Sequence, residues 1–360
     1  MSSQLAVVAN CRTAWPSRAE IDDLGITGIR TIVYSDDELA RALEDTPDHV
    51  RIVAMLNNEH EKVGGNWEGW RPAVTAFAKR FENKVHAVEC GNELDLWGLP
   101  PEKGAHLVRE AFLPLANHGI ATVMGGVAGS NWPSWLEKAC SLSQGSYDAV
   151  ALHPYGQRPR GFRDHSWGFG WLHDAVERAH IVSGASPVYL TEWGVKVGDA
   201  GGAQGQSDYL RLGSLTLQQI GARIVPFAAY FCWADMIGAP SERDSYNAFG
   251  LRDMQMRQRP AWYAYQAAMN TDVLPEPQEP APMPEPTPLK MEDAYRIRWQ
   301  AIHRELEYRH DFGIPTAWRR NPSWGSPLSD EITLEDGRIV QPFANALIEW
   351  VDGTAREVSE

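Results

Sequence analysis

The stretch Glu89-Cys90-Gly91-Asn92-Glu93-Leu94-Asp95 puts three carboxylates within seven residues, directly after a short apolar run. A further carboxylate, Glu192, closes the apolar run "PVYLTEW" (187–193). Two carboxyl groups facing each other across a pocket can cleave a glycosidic bond. One, protonated, donates to the leaving oxygen; the other, ionised, attacks or activates water. Taken singly, Glu93 reads as well as a glutamate at a helix start, and Glu192 as half of a strand-end salt bridge. The pair gains weight from the elements that would have to position it.

Those elements alternate. Short β-branched or apolar runs occur at 5–11, 29–35, 50–57, 85–90, 121–129, 148–155, 187–193 and 224–233. Amphipathic stretches with helical spacing lie between them, among them 68–81, 104–119 and 206–221, and a last one at 261–269 follows the eighth run. Strand followed by helix, eight times, predicts a (β/α)8 TIM barrel. A doubly wound open sheet is the alternative, but no Gly-rich phosphate loop follows the first strand. In a barrel the site lies at the C-terminal strand ends, which makes Asn57, Asn92, Glu93, His153, Tyr155, Glu192, Trp193 and Trp233 the candidates. Glu93 and Glu192 are the carboxylates closing a run in this way, on the fourth and seventh strands.

Several ordered pieces, "VECGNELD" at the fourth strand, "ALHPYG" at the sixth, "LTEWG" at the seventh and "FCWAD…FGLRD…RPAWYAY" at the eighth, resemble clan A glycoside hydrolases such as families 5 and 39. The resemblance covers most of residues 5–270. It implies a retaining glycosidase with Glu93 as acid/base and Glu192 as nucleophile, their carboxyl groups about 5–5.5 Å apart. The substrate implied is a β-linked oligo- or polysaccharide. By the same resemblance Asn92 binds the sugar 2-hydroxyl, His153 and Tyr155 lie near the nucleophile, and Trp233 is the platform under the sugar. Arg30 on the second strand matches a site-supporting arginine. Asn92 reads otherwise as a turn residue, His153 as a packed strand-end histidine and Trp233 as core. Trp67, Trp70, Trp97, Trp132, Trp167 and Trp171 follow strand ends and are candidates for further subsites, although Trp70 and Trp171 fit helix packing better. Two rival functions stay open: a catalytically silent sugar-binding barrel in a cell-wall or virion assembly, and a transglycosidase.

The mechanism requires unequal glutamates. Glu93 is expected to have its pKa raised by desolvation and by the charge of Glu192, which itself stays ionised with Tyr155 as donor. No metal and no cofactor is needed. Glu89, four residues before Glu93 in a period-2 strand, should point into the barrel, where a charge needs a partner. Arg30 is the first choice and a histidine the second. Asp95 is expected in a loop or capping role.

Composition excludes other classes. The 360-residue chain carries a net charge of −14, which disfavours nucleic acid and anionic membrane as partners. Its four cysteines lack zinc or disulfide spacing. No run is long enough to span a membrane, and the first residues show no export signal, leaving extracellular or lysis-released action open. Seven prolines in fourteen residues at 275–288 predict a spacer. At about 3.1 Å per residue in polyproline II it would reach roughly 40 Å. The expected organisation is therefore a barrel at 1–274, a Pro-rich linker at 275–290 and an accessory module at 291–360. Within the module, 291–309 has helical spacing, and "GSPLSDE" and "QPFANALIEW" resemble LGFP-type cell-wall repeats. The resemblance implies binding to a cell-wall polymer; packing on the barrel or self-association is the alternative. Nine Lys/Arg against seventeen Asp/Glu over 271–360 disfavour an anionic polymer.

Overall fold

The computed structural model describes residues 5–155, 171–237 and 248–270, together with strand residues 332–333, 339–342, 347–351 and 354–357. The chain divides into two compact units, Met1–Leu274 and Pro275–Glu360. In the first, eight parallel strands close into a barrel in sequence order: β1 (Leu5–Ala9), β2 (Gly28–Ile32), β3 (Arg51–Leu56), β4 (Ala87–Asn92), β5 (Ala121–Val127), β6 (Ala149–Leu152), β7 (Val188–Trp193) and β8 (Phe227–Tyr230). Eight helices alternate with them: α1 (Arg18–Leu24), α2 (Asp36–Glu44), α3 (Trp70–Arg80), α4 (Pro101–Ala116), α5 (Trp132–Ser143), α6 (Trp171–Val182), α7 (Ala203–Ile220) and α8 (Pro260–Asn270). This is the TIM barrel that the alternating pattern predicts. Among the described residues, no helix is long and apolar enough to cross a membrane.

Period-2 alternation sorts the side chains into two cores. Leu5, Val7, Val88, Cys90, Val188 and Leu190 face outward and pack against the helices. Ala6, Val8, Val53, Ala87, Val123, Ala149, Ala151 and Ala229 face the barrel axis. This inner set is rich in alanine, and its small side chains leave room for large polar ones at the upper end. Local signals set the helix ends as well. Ser17 accepts from Glu20 N while the Glu20 carboxylate takes Ser17 N, a capping box that starts α1.

Two irregularities lie towards the barrel mouth. The β7–β8 register shifts between Leu190 and Trp193, and the β5–β6 register shifts between Met124 and Val127. Such bulges break alternation, so neighbours can share a face. Here Thr191 and Glu192 both turn to the polar network described below.

In the second unit, β9 (Ile332–Thr333), β10 (Ile339–Pro342), β11 (Leu347–Val351) and β12 (Thr354–Glu357) form an antiparallel sheet in the order β12-β11-β10-β9. The expected spacer at 275–290 and helix at 291–309 lie outside the described residues.

Candidate active site

The mouth of the barrel holds a cavity of about 570 Å³. Val8, Ala9 and Asn10 at the end of β1, Ile32 and Tyr34 at the end of β2, and Asn92 and Glu93 at the end of β4 line one part. Tyr155, Glu192, Lys196, Asp199, Phe231, Ile237 and Phe249 complete the wall.

Beneath it lies a charged network built on Arg30, which is fully buried. Its Nε donates to Glu89 Oε2 at 2.9 Å, one terminal nitrogen donates to Glu192 Oε1, and the other reaches Asn92 Oδ1 at 2.7 Å. Because Asn92 spends its oxygen on Arg30, its amide hydrogens are left for the cavity. Tyr155 donates its hydroxyl to Glu192 Oε2, so both oxygens of Glu192 are held.

Glu89 points into the barrel with Arg30 and a histidine as partners, the orientation and partners expected for it. Thr191 Oγ1 donates to Glu89 Oε1 at 3.0 Å, and Gly126 N donates to the same oxygen at 3.0 Å. A Cβ at residue 126 would stand 2.2 Å from His153 Nε2, so only glycine fits there. Burial raises the Glu89 pKa, but the Arg30 charge and His153 outweigh it and bring it down to about 2.

His153 is the hub. Its Nε2 is 3.0 Å from Thr191 Oγ1, and since that hydroxyl gives its proton to Glu89, Nε2 must be the donor. Its Nδ1 lies 2.9 Å from Glu93 Oε1 and 3.7 Å from Glu192 Oε2. Burial alone would lower its pKa, but the charges of Glu192, Glu89 and Glu93 push it up to about 10. The imidazole is thus an imidazolium at neutral pH, sharing one nitrogen between the two strand-end glutamates.

Glu93 is held at the end of β4 in a left-handed conformation (φ 48°), with its N–H on Gly126 O at 2.8 Å. The strand period does not carry through to it, because Gly91 is also left-handed (φ 91°). Asn92 and Glu93 consequently both reach the cavity. Burial raises the Glu93 pKa, but the His153 hydrogen bond and charge, and Arg30, leave it below the usual value. This corrects the expectation of a raised value, which counted burial and Glu192 but not the cation beside Glu93. Facing oxygens of Glu93 and Glu192 lie within 4.8 Å.

The remaining candidates separate. Trp233 is fully buried, packed on Trp262 with ring centroids 5.2 Å apart and under the Arg252 guanidinium. It lies in the core and is not a platform in the cavity. The eighth strand ends at Tyr230, three residues earlier than the apolar run suggests, and Phe231 takes the lining position instead. Asn57 also misses the cavity: its Oδ1 accepts from Glu59 N at 2.8 Å, closing its own turn after β3. Asp95 ties the β4 and β5 loops together by accepting from Ala128 N and Gly129 N at 3.2 and 2.7 Å. Trp70 is core, as expected, and Trp132 borders a second, much smaller cavity. Trp167 and the side chain of Trp171 lie outside the described residues. Phe231, Phe249, Lys196, Asp199, Tyr34 and Thr191 were not legible beforehand, since nothing in their local sequence separates them from core or loop residues.

Three groups of side chains have spacing suited to a cation among the described residues. In Glu93–His153–Glu192 the donor atoms are committed to Arg30, Tyr155 and the imidazolium. In Asp36–His60–Glu61 both Asp36 oxygens are taken, by His60 at 3.0 Å and by the Lys62 ammonium. His173, Asp174 and Glu177 form an exposed group on α6.

No protein-family model matches the chain, and no curated protein is similar to it in sequence. Solved structures do resemble it. A family 128 (subgroup II) endo-β-1,3-glucanase from Sorangium cellulosum matches with a TM-score of 0.55 at 18% identity, over 74% of this chain and 98% of that one. A family 17 β-1,3-glucanosyltransferase from Rhizomucor miehei matches at 0.54 and 16% identity, over 72% and 97%. A thermostable mutant of a xylanase from Cellvibrio japonicus gives 0.54 and 10%, over 75% and 99%. At these identities the shared property is the barrel fold, in a set of clan A glycoside hydrolases; families 5 and 39 and the LGFP-type module are not among the matches reported.

Proposed function

We propose that the barrel is a retaining glycoside hydrolase acting on a β-linked oligo- or polysaccharide, with Glu192 as nucleophile and Glu93 as acid/base. The observation that carries this reading is the pair itself: two carboxylates at the mouth of one cavity with facing oxygens within 4.8 Å. Close approach of the two carboxylates favours direct attack by one of them, because an inverting pair is spread wider, its carboxyl groups roughly 6.5–9.5 Å apart, to admit a water.

Charge counting assigns the roles. Arg30 and His153 supply two cations against the carboxylates of Glu89, Glu93 and Glu192. The set is neutral when one carboxylate carries a proton. Glu89 is held ionised deep in the barrel, and Glu192 is tied to Arg30 and Tyr155, so Glu93 is the carboxylate left to take up a proton when substrate binds. His153 donates to Glu93 Oε1, leaving Oε2 to present that proton to the leaving oxygen. Bound sugar strips water from Glu93 and raises its pKa from the low value of the empty site, which favours the protonated form. As Glu192 forms its bond to the anomeric carbon, it loses its charge while Glu93 gains one, and the network is neutral again. Glu93 then takes a proton from the incoming water, whose oxygen displaces Glu192. In this reading the Asn92 amide, free of Arg30, donates to the sugar 2-hydroxyl, and Phe231 in the cavity wall packs against the sugar.

Intact glutamates weigh against a silent sugar-binding barrel. The second unit is read as an accessory module that keeps the barrel near a cell-wall polymer by raising its effective concentration. In Glu192→Gln, turnover of an activated aryl glycoside should vanish while circular dichroism stays that of the wild type. Proton NMR of the first product should show the β anomer; an inverted product or an active Glu192→Gln protein overturns the assignment.

A further inference from the structure

Among the described residues the large exposed hydrophobic side chains are Leu96, Trp97, Leu113, Ile181 and Tyr263. Leu113, Ile181 and Tyr263 belong to α4, α6 and α8, on the outer ring of the barrel. Leu96 and Trp97 instead follow Glu93 at the mouth, and they are 61% and 75% exposed. An indole left in water forfeits burial worth more than almost any other side chain can supply.

The loop that presents it is not loose. Trp97 N donates to Glu93 O at 3.0 Å, Gly98 N to Asp95 O at 3.2 Å, and Leu99 N to Leu94 O at 2.9 Å. Leu94 is buried in the core, and the Asp95 carboxylate clamps the turn to Ala128 N and Gly129 N. The turn therefore fixes the backbone of Trp97 relative to Glu93, and its side chain stands largely in solvent. An exposed aromatic on a rigid support is a preorganised stacking surface.

The side of the site on which it lies follows from the cavity. Its walls come from the ends of β1, β2, β4, β6, β7 and β8 and contain both glutamates, whereas the loop beyond Glu93 lies outside it. If Glu93 protonates the leaving oxygen, the sugar carrying that oxygen extends past Glu93, away from Glu192. We propose that Trp97, with Leu96 beside it, is the stacking platform for the leaving-group sugar of a β-linked glycan. The inference rests on the acid/base reading of Glu93. The same platform holds an acceptor sugar after the first product leaves. Its hydroxyl oxygen then bonds to the anomeric carbon as the bond to Glu192 breaks. Its proton passes to the Glu93 carboxylate, and Glu192 recovers its charge. Trp97 thus sets how often a sugar replaces water in the second step.

Glycosyl fluorides test this, because fluoride leaves without touching the platform. The full chain, its Trp97→Ala variant and its Trp97→Phe variant are compared on laminarihexaose and cellohexaose and on β-laminaribiosyl and β-cellobiosyl fluoride. The loss of kcat/KM in Trp97→Ala should be greater on the hexaose than on the matching fluoride by about tenfold. With added oligosaccharide acceptor, the ratio of transfer to hydrolysis from the fluoride should fall by a similar factor, and Trp97→Phe should recover most of both. Equal losses on hexaose and fluoride, or no loss on either, overturn the platform. A wild-type protein inert towards every fluoride and hexaose instead overturns a β-glucan as the substrate on which the platform reading is tested.

Discussion

Replacing Arg30 by methionine tests whether the barrel is assembled in the register described above. Arg30 and Glu89 are each 0% exposed and meet at 2.9 Å across the interior, from β2 to β4. Glu89 is held at about 2 against an ordinary 4.5. At 1.36 kcal/mol per pKa step, that difference is worth roughly 3 kcal/mol to the folded state. Burial works against this sum, and the Arg30 charge is the largest influence opposing burial. Removing one partner of a buried pair generally costs about 3–5 kcal/mol, because the other charge is left bare. Arg30→Met should therefore cost about 3–5 kcal/mol in urea unfolding at neutral pH. Arg30→Met/Glu89→Gln, which leaves no bare charge at Glu89, should cost on the order of 2 kcal/mol less than Arg30→Met alone. The folded pKa of Glu89 is depressed, so its contribution is complete above 4.5 and is lost as pH falls towards 2. The penalty of Arg30→Met should shrink over the same window. A variant within 1 kcal/mol of the wild type, or strict additivity of the two substitutions, would mean the two side chains do not meet inside the barrel.

Further outcomes follow from the same geometry. Glu93→Ala should slow substrates with poor leaving groups far more than activated ones, and azide should restore the second step as a glycosyl azide of retained configuration. Glu93 is held below its usual pKa in the empty site, so kcat/KM should decline with rising pH earlier than kcat, which reports the sugar-covered site. His153→Asn keeps a donor near Glu93 but removes the cation among Glu89, Glu93, Glu192, Arg30 and Tyr155. Its kcat/KM profile should then lose activity at higher pH than the wild type, and an unmoved profile would show that His153 does not set the Glu93 charge. A protein lacking residues 275–360 should keep its turnover of small substrates and lose only retention on insoluble polymer; loss of small-substrate turnover would assign the second unit to the site itself.

Much of this molecule is written in local pattern. Eight apolar runs separated by amphipathic stretches specify a barrel because hydrophobic periodicity is a property of neighbouring residues. The strand ends then nominate Glu93 and Glu192, and Glu89 does turn inward to a cation, although left-handed Gly91 breaks the period-2 count from Glu93 that pointed to it. Other features depend on contacts between distant segments and leave no local trace. Trp233 and Phe231 are two aromatics two residues apart, and only the end of β8 at Tyr230 decides which one lines the cavity and which packs on Trp262. Asn57 closes a run as convincingly as Asn92, yet its side chain is spent on its own turn. The bulge that turns Thr191 and Glu192 together arises from the fit of β7 to β8, not from either strand alone. The charge state of Glu93 was the hardest to foresee. Sequence supplies the carboxylates and the histidine, but electrostatic energy depends on separation. Only folding brings His153 Nδ1 to 2.9 Å from Glu93 Oε1, and at that distance its charge outweighs burial.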